Sequence, residues 1–306
     1  MIDRIAAIYT TFKPDAAFRE RVKPLAAGCH AIIVVDNTPG GHDFGDCPDL
    51  VILQDGHNKG LGPALNLGID KARELGCDAV VLFDQDSTPG TDFLEALADG
   101  VRALGGRRCA VGPLMFDDTV LERGGLPPIG AAPLPREVTC LPTSGMLFPI
   151  DELTPSDGFS EELFLDFVDF DWCWRMRDRG WRIFKLDNLP MAHRLGLAQR
   201  RVLGLQYHVP APYRHYFQFR DTLRLLTWSH VPLYSKVRLG ALLPAKLLLY
   251  PFIMEHGRER LVWMLKGLRD YFLRRRGAGA AAARLQAVKV AKSNGPAMSP
   301  PGPGLH

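Results

Sequence analysis

The stretch "VVLFDQDSTPG", residues 80–90, joins an apolar run to two carboxylates and a turn. The apolar run ends at Asp84, and Asp86 follows two positions later. Like charges this close repel each other, so a divalent cation held by both side chains would account for the pair. The simpler alternative is a solvated strand end followed by a turn. The position of the pair in the fold has to decide between the two.

The first part of the chain alternates short apolar runs with helical patterns. Runs with the length of buried strands occur at 5–9, 31–35, 51–53 and 79–83. Between and after them, apolar residues recur at helical spacing over 61–75 and 94–104. Strand–helix–strand repetition predicts an α/β fold with a parallel sheet. We expect a further helix over 159–180, and loops with short strands over 112–158.

Three of the predicted strands end in short polar side chains. Thr10 follows the first strand, Asp36 the second, and Asp84 and Asp86 the fourth. Ligands of an open parallel sheet bind beyond the carboxyl ends of its strands. This arrangement favours a ligand site over the simple turn.

The stretch "GHNKGLGPALNLG", residues 56–68, has the first part of a dinucleotide-binding glycine pattern. Leu65 stands where that pattern needs its third small residue, and Gly60 lies too far from the strand. We therefore do not expect a nicotinamide or flavin. A loop near a nucleotide remains the prediction, with Asn58 and Asn66 as polar contacts. The alternative for Asn66 is a partly buried amide on the helix surface.

The stretch "EELFLDFVDFDWCWRMRDRGW", residues 161–181, places three aspartates among aromatic residues. Asp171 and Arg175 are four positions apart, so they share a helix face and are expected to pair. A carboxylate against apolar walls has a raised pKa, which suits a general base. Asp169 is the predicted base. The alternative is a carboxylate that stabilises a helix N-terminus, which accounts for one of the three.

Two further segments carry cationic groups. His193 and Arg194 follow a predicted strand, and imidazole with guanidinium suits a metal or diphosphate site. The alternative is a structural histidine. The stretch "YRHYFQFRD", residues 213–221, contains Arg214 and Arg220. It is predicted either to clamp an anionic donor through Arg220 or to connect the body to the basic segment that follows.

Residues 231–276 contain ten Lys or Arg and three Asp or Glu, interleaved with large apolar side chains. This composition is typical of an amphipathic segment at an anionic membrane surface. An ordinary helical subdomain with a basic face is the alternative. The tail, 277–306, is rich in Ala, Gly and Pro and is predicted to be disordered.

The net charge of +3 gives no indication of nucleic-acid binding. The six cysteines are scattered without a C-x-x-C pair. They favour reduced thiols in the cytoplasm. The N-terminal sequence begins with a strand-like run and lacks the pattern of a signal peptide.

Taken in order, six motifs resemble family 2 inverting glycosyltransferases of the GT-A fold, a Rossmann-like fold of nucleotide-diphospho-sugar transferases. They are "YTTFKPD", "VVDNTPG", "HNKGLGPALNLGI", "FDQDSTPG", "FVDFDWCWR" and "AHRLG". The pattern is most similar to the bacterial rhamnosyltransferase branch, which uses dTDP-L-rhamnose. The resemblance covers about residues 4–225. It implies a glycosyltransferase domain over 1–225. The composition of the following residues predicts a basic helical, membrane-associating extension over 226–276 and then the tail.

The resemblance also implies roles for single residues. Thr10 and Asp36 would contact the base and ribose of the donor, and Asn58 and Gly60 would line the nucleotide pocket. Asp84 would lie by the ribose and metal. Asp86 would ligate Mg²⁺ or Mn²⁺, with His193 near the metal or the diphosphate. Asp169 would deprotonate the acceptor hydroxyl.

The implied reaction transfers rhamnose to a lipid-linked saccharide or a glycolipid, as in the synthesis of O-antigen, polysaccharide or rhamnolipid. The enzyme would act at the inner face of the cytoplasmic membrane. A nucleotidyltransferase is disfavoured, because "TTFKPD" has no glycine for a phosphate loop. A non-catalytic nucleotide-sugar-binding or scaffold protein is the other alternative.

Overall fold

The computed structural model describes residues 2–90, 92–117, 128–129, 134–193, 199–202, 205–208 and 210–281. Arg194 and most of the predicted tail, 282–306, lie outside the described residues. The described strands are β1 (Ile5–Thr11), β2 (Ala31–Asp36), β3 (Leu50–Gln54), β4 (Ala79–Asp84), β5 (Cys109–Asp117), β6 (Pro135–Glu137), β7 (Leu147–Pro149), β8 (Arg182–His193), β9 (Gln199–Val202) and β10 (Leu205–His208). The described α-helices are α1 (Phe18–Val22), α2 (Leu61–Glu74), α3 (Phe93–Ala103), α4 (Val168–Asp178), α5 (Arg214–Thr227), α6 (Leu233–Ile253) and α7 (Gly257–Phe272).

Eight of these strands form one central sheet in the order β3-β2-β1-β4-β7-β5-β8-β6. The strands β1 to β4 are mutually parallel, as the alternating pattern predicts. The short strand β7 enters antiparallel between β4 and β5. The α/β prediction is therefore confirmed, and the sheet is mixed. A separate hairpin is formed by β9 and β10.

Helices cover both faces of the sheet, which explains the unbroken apolar runs. Along β4, Val80 and Leu82 pack on the face that also holds α2 and α4. Val81 and Phe83 pack on the opposite face with α1 and α3. Alternate residues of one strand thus enter two different cores. This layering leaves the strand ends as the place where polar groups meet.

The helix predicted over 159–180 is shorter than expected. It begins at Val168, after Phe167, whose φ of 70° is left-handed. The preceding segment instead lies against the start of α2, where the Leu61 N–H donates to the Phe164 carbonyl at 2.8 Å. Long-range backbone contact therefore replaces the expected first turns of the helix.

Residues 231–276 fold into α6 and α7. Every described residue of α6 is at least partly exposed, and Pro244 and Pro251 lie inside the helix. Among the described helices, none combines the length and apolar character that crossing a bilayer requires. The helices join the body through a small core around Phe164, Phe217 and Trp263.

Candidate functional site

The carboxyl ends of β1, β2 and β4 lie side by side at one edge of the sheet. In the parallel register, Thr11 is opposite Asp36, and Thr10 is opposite Asp84. Thr10, Asp84 and Asp86 are all half-buried. The structure therefore brings together the strand-end residues that the sequence singled out.

Asp36 is the most buried of these strand-end acids, with 3% of its surface exposed. Its Oδ1 accepts hydrogen bonds from the hydroxyls of Thr11 (2.8 Å) and Thr38 (2.7 Å). Its Oδ2 is buried and has no hydrogen-bond partner among the described residues. A buried polar atom without a partner costs free energy, so this oxygen is a natural acceptor for a ligand N–H or O–H.

A cavity of ≈ 300 Å³ opens beside Asp36, between β2, β3 and the start of α2. Its lining combines the polar groups of Asp36, Asn37, His57 and Lys59 with apolar side chains such as Pro63. An apolar cleft with a few convergent polar groups is typical of a small-molecule site. Of the two residues predicted to contact the base and ribose of the donor, Asp36 lines this cleft.

The two glycines at the start of α2 allow a close approach between segments. Gly60 has a φ of +97°, and a Cβ there would lie 2.8 Å from the Phe164 carbonyl oxygen. A Cβ on Gly62 would lie 2.2 Å from the Ser160 carbonyl oxygen. Only glycine fits such positions. Asn58 stabilises the turn because its Oδ1 accepts the Gly60 N–H at 3.0 Å.

A metal site at this edge would rest on Asp84 and Asp86. Within the described side chains, no group of three His, Cys, Asp or Glu residues is placed to hold a metal ion. His193 ends β8 opposite Asp117, and its side chain lies outside the described atoms. Two carboxylates nevertheless fit Mg²⁺, which keeps several waters and takes substrate phosphate oxygens as further ligands.

Asp169 lies in the first turn of α4, half-buried. Burial raises the pKa of its carboxyl to about 7, and the nearby charges of Asp84 and Asp166 add to the rise. The Phe170 N–H donates to its Oδ1 at 2.9 Å, which opposes the rise. A pKa close to neutrality is suited to a general base. The charge of Asp84, at the strand-end site, is one of the charges that act on this carboxyl.

Asp166 adds a residue that the sequence did not assign. It forms an ion pair with Arg214, the first residue of α5. Asp166 is the main cause of the raised pKa of Arg214, and Asp84 contributes as well. Arg214 therefore lies near both carboxylates. In the sequence, the signal for Asp166 is the group of three aspartates within 161–181, and the signal for Arg214 is the basic stretch at 213–221.

The pairing predicted for Asp171 is confirmed. Its fully buried carboxylate accepts from Arg175 Nε at 2.9 Å. It also binds His230 Nε2 at 2.7 Å. Asp171 therefore has a structural role, because its hydrogen bond to His230 connects α4 to the segment between α5 and α6.

Two residues predicted to contact the donor are engaged elsewhere. The side-chain amide of Asn66 donates to the Phe159 carbonyl at 3.0 Å and accepts from the Phe159 N–H at 2.7 Å. The guanidinium of Arg220 is fully buried and pairs with Asp221 through Nε (2.7 Å) and Nη2 (3.0 Å). The structure thus favours the alternative reading of Asn66. It gives Arg220 the role of connecting the body to the C-terminal helices.

One curated relative is the dTDP-rhamnosyl transferase RfbF of Shigella flexneri. It is 26% identical over 258 residues, which cover 78% of this chain and 85% of that protein. No protein-family model matches the chain.

Among solved structures, S. aureus TarS 1–349 in complex with UDP-GlcNAc matches with a TM-score of 0.52 and 13% identity, over 88% of this chain and 81% of that chain. A longer S. aureus TarS structure matches with a TM-score of 0.48 and 15% identity, over 80% of this chain. This chain spans 44% of that longer TarS chain. The fold of TarS 1–349 is therefore shared. The predicted class of enzyme, a glycosyltransferase, is confirmed by the Shigella relative. By its sequence this chain is similar to a dTDP-rhamnosyl transferase, and its fold is shared with TarS 1–349.

Proposed function

We propose that this chain is a metal-dependent inverting glycosyltransferase that moves L-rhamnose from dTDP-L-rhamnose to a hydroxyl of a lipid-linked saccharide or glycolipid. The observation that carries the proposal is the placement of Asp169. It is a carboxyl with a pKa of about 7 that lies close to the strand-end acid Asp84. A base poised at neutrality beside a nucleotide-sized cleft suits transfer of a sugar to a hydroxyl.

The cleft at Asp36 supports a nucleotide donor. The unpartnered Oδ2 of Asp36 is suited to accept the imide N–H of thymine or uracil. The similarity to the Shigella dTDP-rhamnosyl transferase favours dTDP-rhamnose as the donor. The UDP-GlcNAc bound by the TarS neighbour supports a nucleotide-sugar in general.

Asp84 and Asp86 are the residues proposed to hold Mg²⁺ or Mn²⁺, with His193 as a further ligand on the strength of the family resemblance. A bound divalent ion would neutralise the charge that develops on the departing nucleoside diphosphate. Asp84 and Asp86 would hold the divalent ion at the edge of the sheet, next to the cleft at Asp36. Arg214 brings a further positive charge close to Asp84.

In the proposed transfer, Asp169 accepts the proton of the acceptor hydroxyl. The acceptor oxygen forms a bond to the anomeric carbon of the sugar while the bond from that carbon to the diphosphate oxygen breaks. The electron pair leaves with the nucleoside diphosphate. A single displacement of this kind inverts the anomeric configuration, because attack and departure occur on opposite faces.

We further propose that α6 rests on the cytoplasmic face of an anionic membrane. Exposed apolar side chains of this helix include Leu233 (76%), Tyr234 (75%), Leu248 (68%) and Phe252 (87%). Exposed apolar surface next to basic residues is typical of interfacial helices. A membrane position for α6 would suit an acceptor that carries a lipid.

A thermal-shift comparison of nucleotides tests the donor. The protein is heated with dTDP, UDP, GDP or NAD, each with and without Mg²⁺ or Mn²⁺. We expect stabilisation by dTDP that depends on the metal. A metal-dependent preference for UDP or GDP would contradict the rhamnose assignment. No response to any nucleotide would favour a non-catalytic protein.

A further inference from the structure

The residue between the two strand-end carboxylates is held through its side chain and through its backbone. Gln85 lies between Asp84 and Asp86 and is half-buried. Its side-chain Oε1 accepts the backbone N–H of Phe12, just past the end of β1, at 2.7 Å. Its backbone carbonyl accepts from Nε of Arg21, on α1, at 2.9 Å. Gln85 is therefore attached both to the end of β1 and to α1.

Arg21 is itself held by a second partner. Its Nη2 donates to Asp15 Oδ1 at 2.6 Å while its Nε donates to the Gln85 carbonyl. The planar guanidinium carries its donors in a fixed geometry, so one side chain can hold both acceptors at once. The carbonyl that Arg21 holds belongs to the planar peptide unit that joins Gln85 to Asp86. This hydrogen bond therefore orients the backbone that carries Asp86.

The residues that follow the two carboxylates are anchored as well. The Ser87 N–H donates to the Asp84 carbonyl at 3.1 Å and closes the turn. The hydroxyls of Ser87 and Ser144 are hydrogen-bonded to each other, and both residues are fully buried. Thr88 forms an antiparallel bridge with Ala192 of β8. The turn is thus held by β8 and by the segment before β7, in addition to β1 and α1.

We propose that Gln85 and Arg21 are positioning residues that keep Asp84 and Asp86 in the geometry that binds a divalent cation together with the donor diphosphate. This inference rests on the proposed function. Because like charges repel, a turn without these restraints would let the two carboxylates move apart. Mg²⁺ requires near-ideal octahedral geometry, so ligands that are already ordered bind it more tightly. Neither Gln85 nor Arg21 has to touch the cation to have this effect.

The gain in dTDP affinity that Mn²⁺ produces reports on the metal site. Calorimetry titrates dTDP into the protein once in EDTA and once in excess Mn²⁺, and the ratio of the two dissociation constants is the gain. A variant that disturbs only the nucleotide cleft changes both constants alike and leaves the ratio unchanged. The ratio therefore separates positioning of the metal ligands from a merely structural effect.

Variants of Gln85 test its side-chain contact. Gln85→Met keeps the length of the side chain but removes the acceptor of the Phe12 N–H. We expect the gain to fall about tenfold, with dTDP affinity in EDTA unchanged. Gln85→Glu keeps an acceptor oxygen and should keep the gain of the wild type. A wild-type gain in Gln85→Met, or an equal loss in Gln85→Glu, would overturn the role of Gln85.

Arg21→Lys tests the backbone contact while it retains the positive charge. An ammonium lacks the fork that holds Asp15 and the Gln85 carbonyl together, so the gain should again fall about tenfold. Arg19→Lys is the matched control, because Arg19 lies on the same helix and donates to the Asp46 carbonyl at 2.9 Å. It should keep the gain of the wild type. An unchanged gain in Arg21→Lys would overturn the role of Arg21.

The outcomes separate this inference from the proposed function. If Mn²⁺ raises the dTDP affinity of the wild type and neither Gln85→Met nor Arg21→Lys lowers that gain, the positioning role alone is overturned. If the wild type binds dTDP equally well with and without Mn²⁺, the metal dependence of the proposed function is overturned, and the positioning role with it. If the wild type does not bind dTDP at all, the proposed donor is wrong.

Discussion

Asp166 and Arg214 form an ion pair that joins the segment before α4 to the first residue of α5. Asp166 lies three residues before Asp169 in the chain, and its charge contributes to the raised pKa of that carboxyl. The ion pair therefore connects the first residue of α5 to an acid whose charge acts on the proposed base. This relationship makes the pH dependence of the reaction a test of the site.

Transfer should depend on the ionised form of Asp169. Its pKa of about 7 predicts that kcat/KM rises with pH and reaches half of its plateau near pH 7. Asp166→Asn removes one negative neighbour, so the same rise should move to lower pH by on the order of half a unit. Rates measured from pH 5 to pH 9 test both statements.

Glu162→Gln is the control for this series, because Glu162 is a half-buried acid of the same segment that pairs with Arg276. It should leave the midpoint unchanged. The position of the midpoint is informative even if Asp166→Asn lowers the maximal rate. A midpoint that stays in place or moves to higher pH in Asp166→Asn would contradict the assigned electrostatics.

Asp169→Asn should make the protein more stable at alkaline pH. The folded pKa of Asp169 lies above its ordinary value of 3.8, so ionisation costs stability at pH values above that value. Removing the charge should raise the free energy of unfolding at pH 8 by about 4 kcal/mol, because each unit of pKa difference corresponds to about 1.4 kcal/mol. The difference should shrink as the pH falls and disappear below pH 3.8, where both folded and unfolded acids are protonated.

Chemical denaturation of the wild type and Asp169→Asn at pH 8 and pH 5 measures this difference. A variant equal to or less stable than the wild type at pH 8 would show that Asp169 is not a desolvated acid. Asp55→Asn is a useful contrast, because Asp55 pairs with Lys59 and its pKa is lowered. That substitution should not stabilise the protein.

Asp36→Asn should weaken dTDP binding about 10- to 100-fold. The asparagine can keep the acceptor contacts with Thr11 and Thr38, but it places an NH₂ group where the unpartnered Oδ2 now lies. That donor would face the N–H of the base. Calorimetric titration with dTDP and Mg²⁺ gives the affinity. If a folded Asp36→Asn protein binds dTDP with unchanged affinity, Asp36 does not contact the donor.

Phe252→Glu should reduce binding to vesicles that contain an anionic phospholipid by about tenfold. The substitution replaces an apolar side chain that is 87% exposed with a charge that the membrane repels. Leu134→Glu is the matched control, because Leu134 is 62% exposed and lies in the body, beside β6. Sedimentation with vesicles gives the bound fraction. Equal binding of the wild type and Phe252→Glu would refute the membrane position of α6.

Local patterns in the sequence predict much of the fold. The alternation of apolar runs with helical spacing predicts β1 to β4 and α2, because each run is covered on both faces. The spacing of four residues predicts the Asp171–Arg175 pair. The strand-end rule brings Thr10, Asp36 and Asp84 to one edge. These inferences depend on geometry within one element or on a general property of parallel sheets.

Contacts between distant segments could not be predicted in this way. The helix after residue 159 starts late because Phe164 lies against Gly60, a contact that spans about a third of the chain. Arg220 and Arg214 look alike in the stretch at 213–221, yet one is paired inside the helical core and the other reaches Asp166. The sequence predicts that Lys246 belongs to a basic surface. In the structure α6 packs on α5, and the ammonium of Lys246 donates to Gln218 on that helix.

The most direct measurement is sugar transfer by the purified protein and by Asp169→Asn. Each is incubated with Mg²⁺, a bacterial lipid extract and either radiolabelled dTDP-L-rhamnose or radiolabelled UDP-GlcNAc. We predict that the wild type moves label from dTDP-L-rhamnose into the lipid fraction, and that Asp169→Asn binds dTDP but transfers nothing. Transfer by Asp169→Asn at the wild-type rate, or transfer from UDP-GlcNAc instead of dTDP-L-rhamnose, would contradict the proposed function.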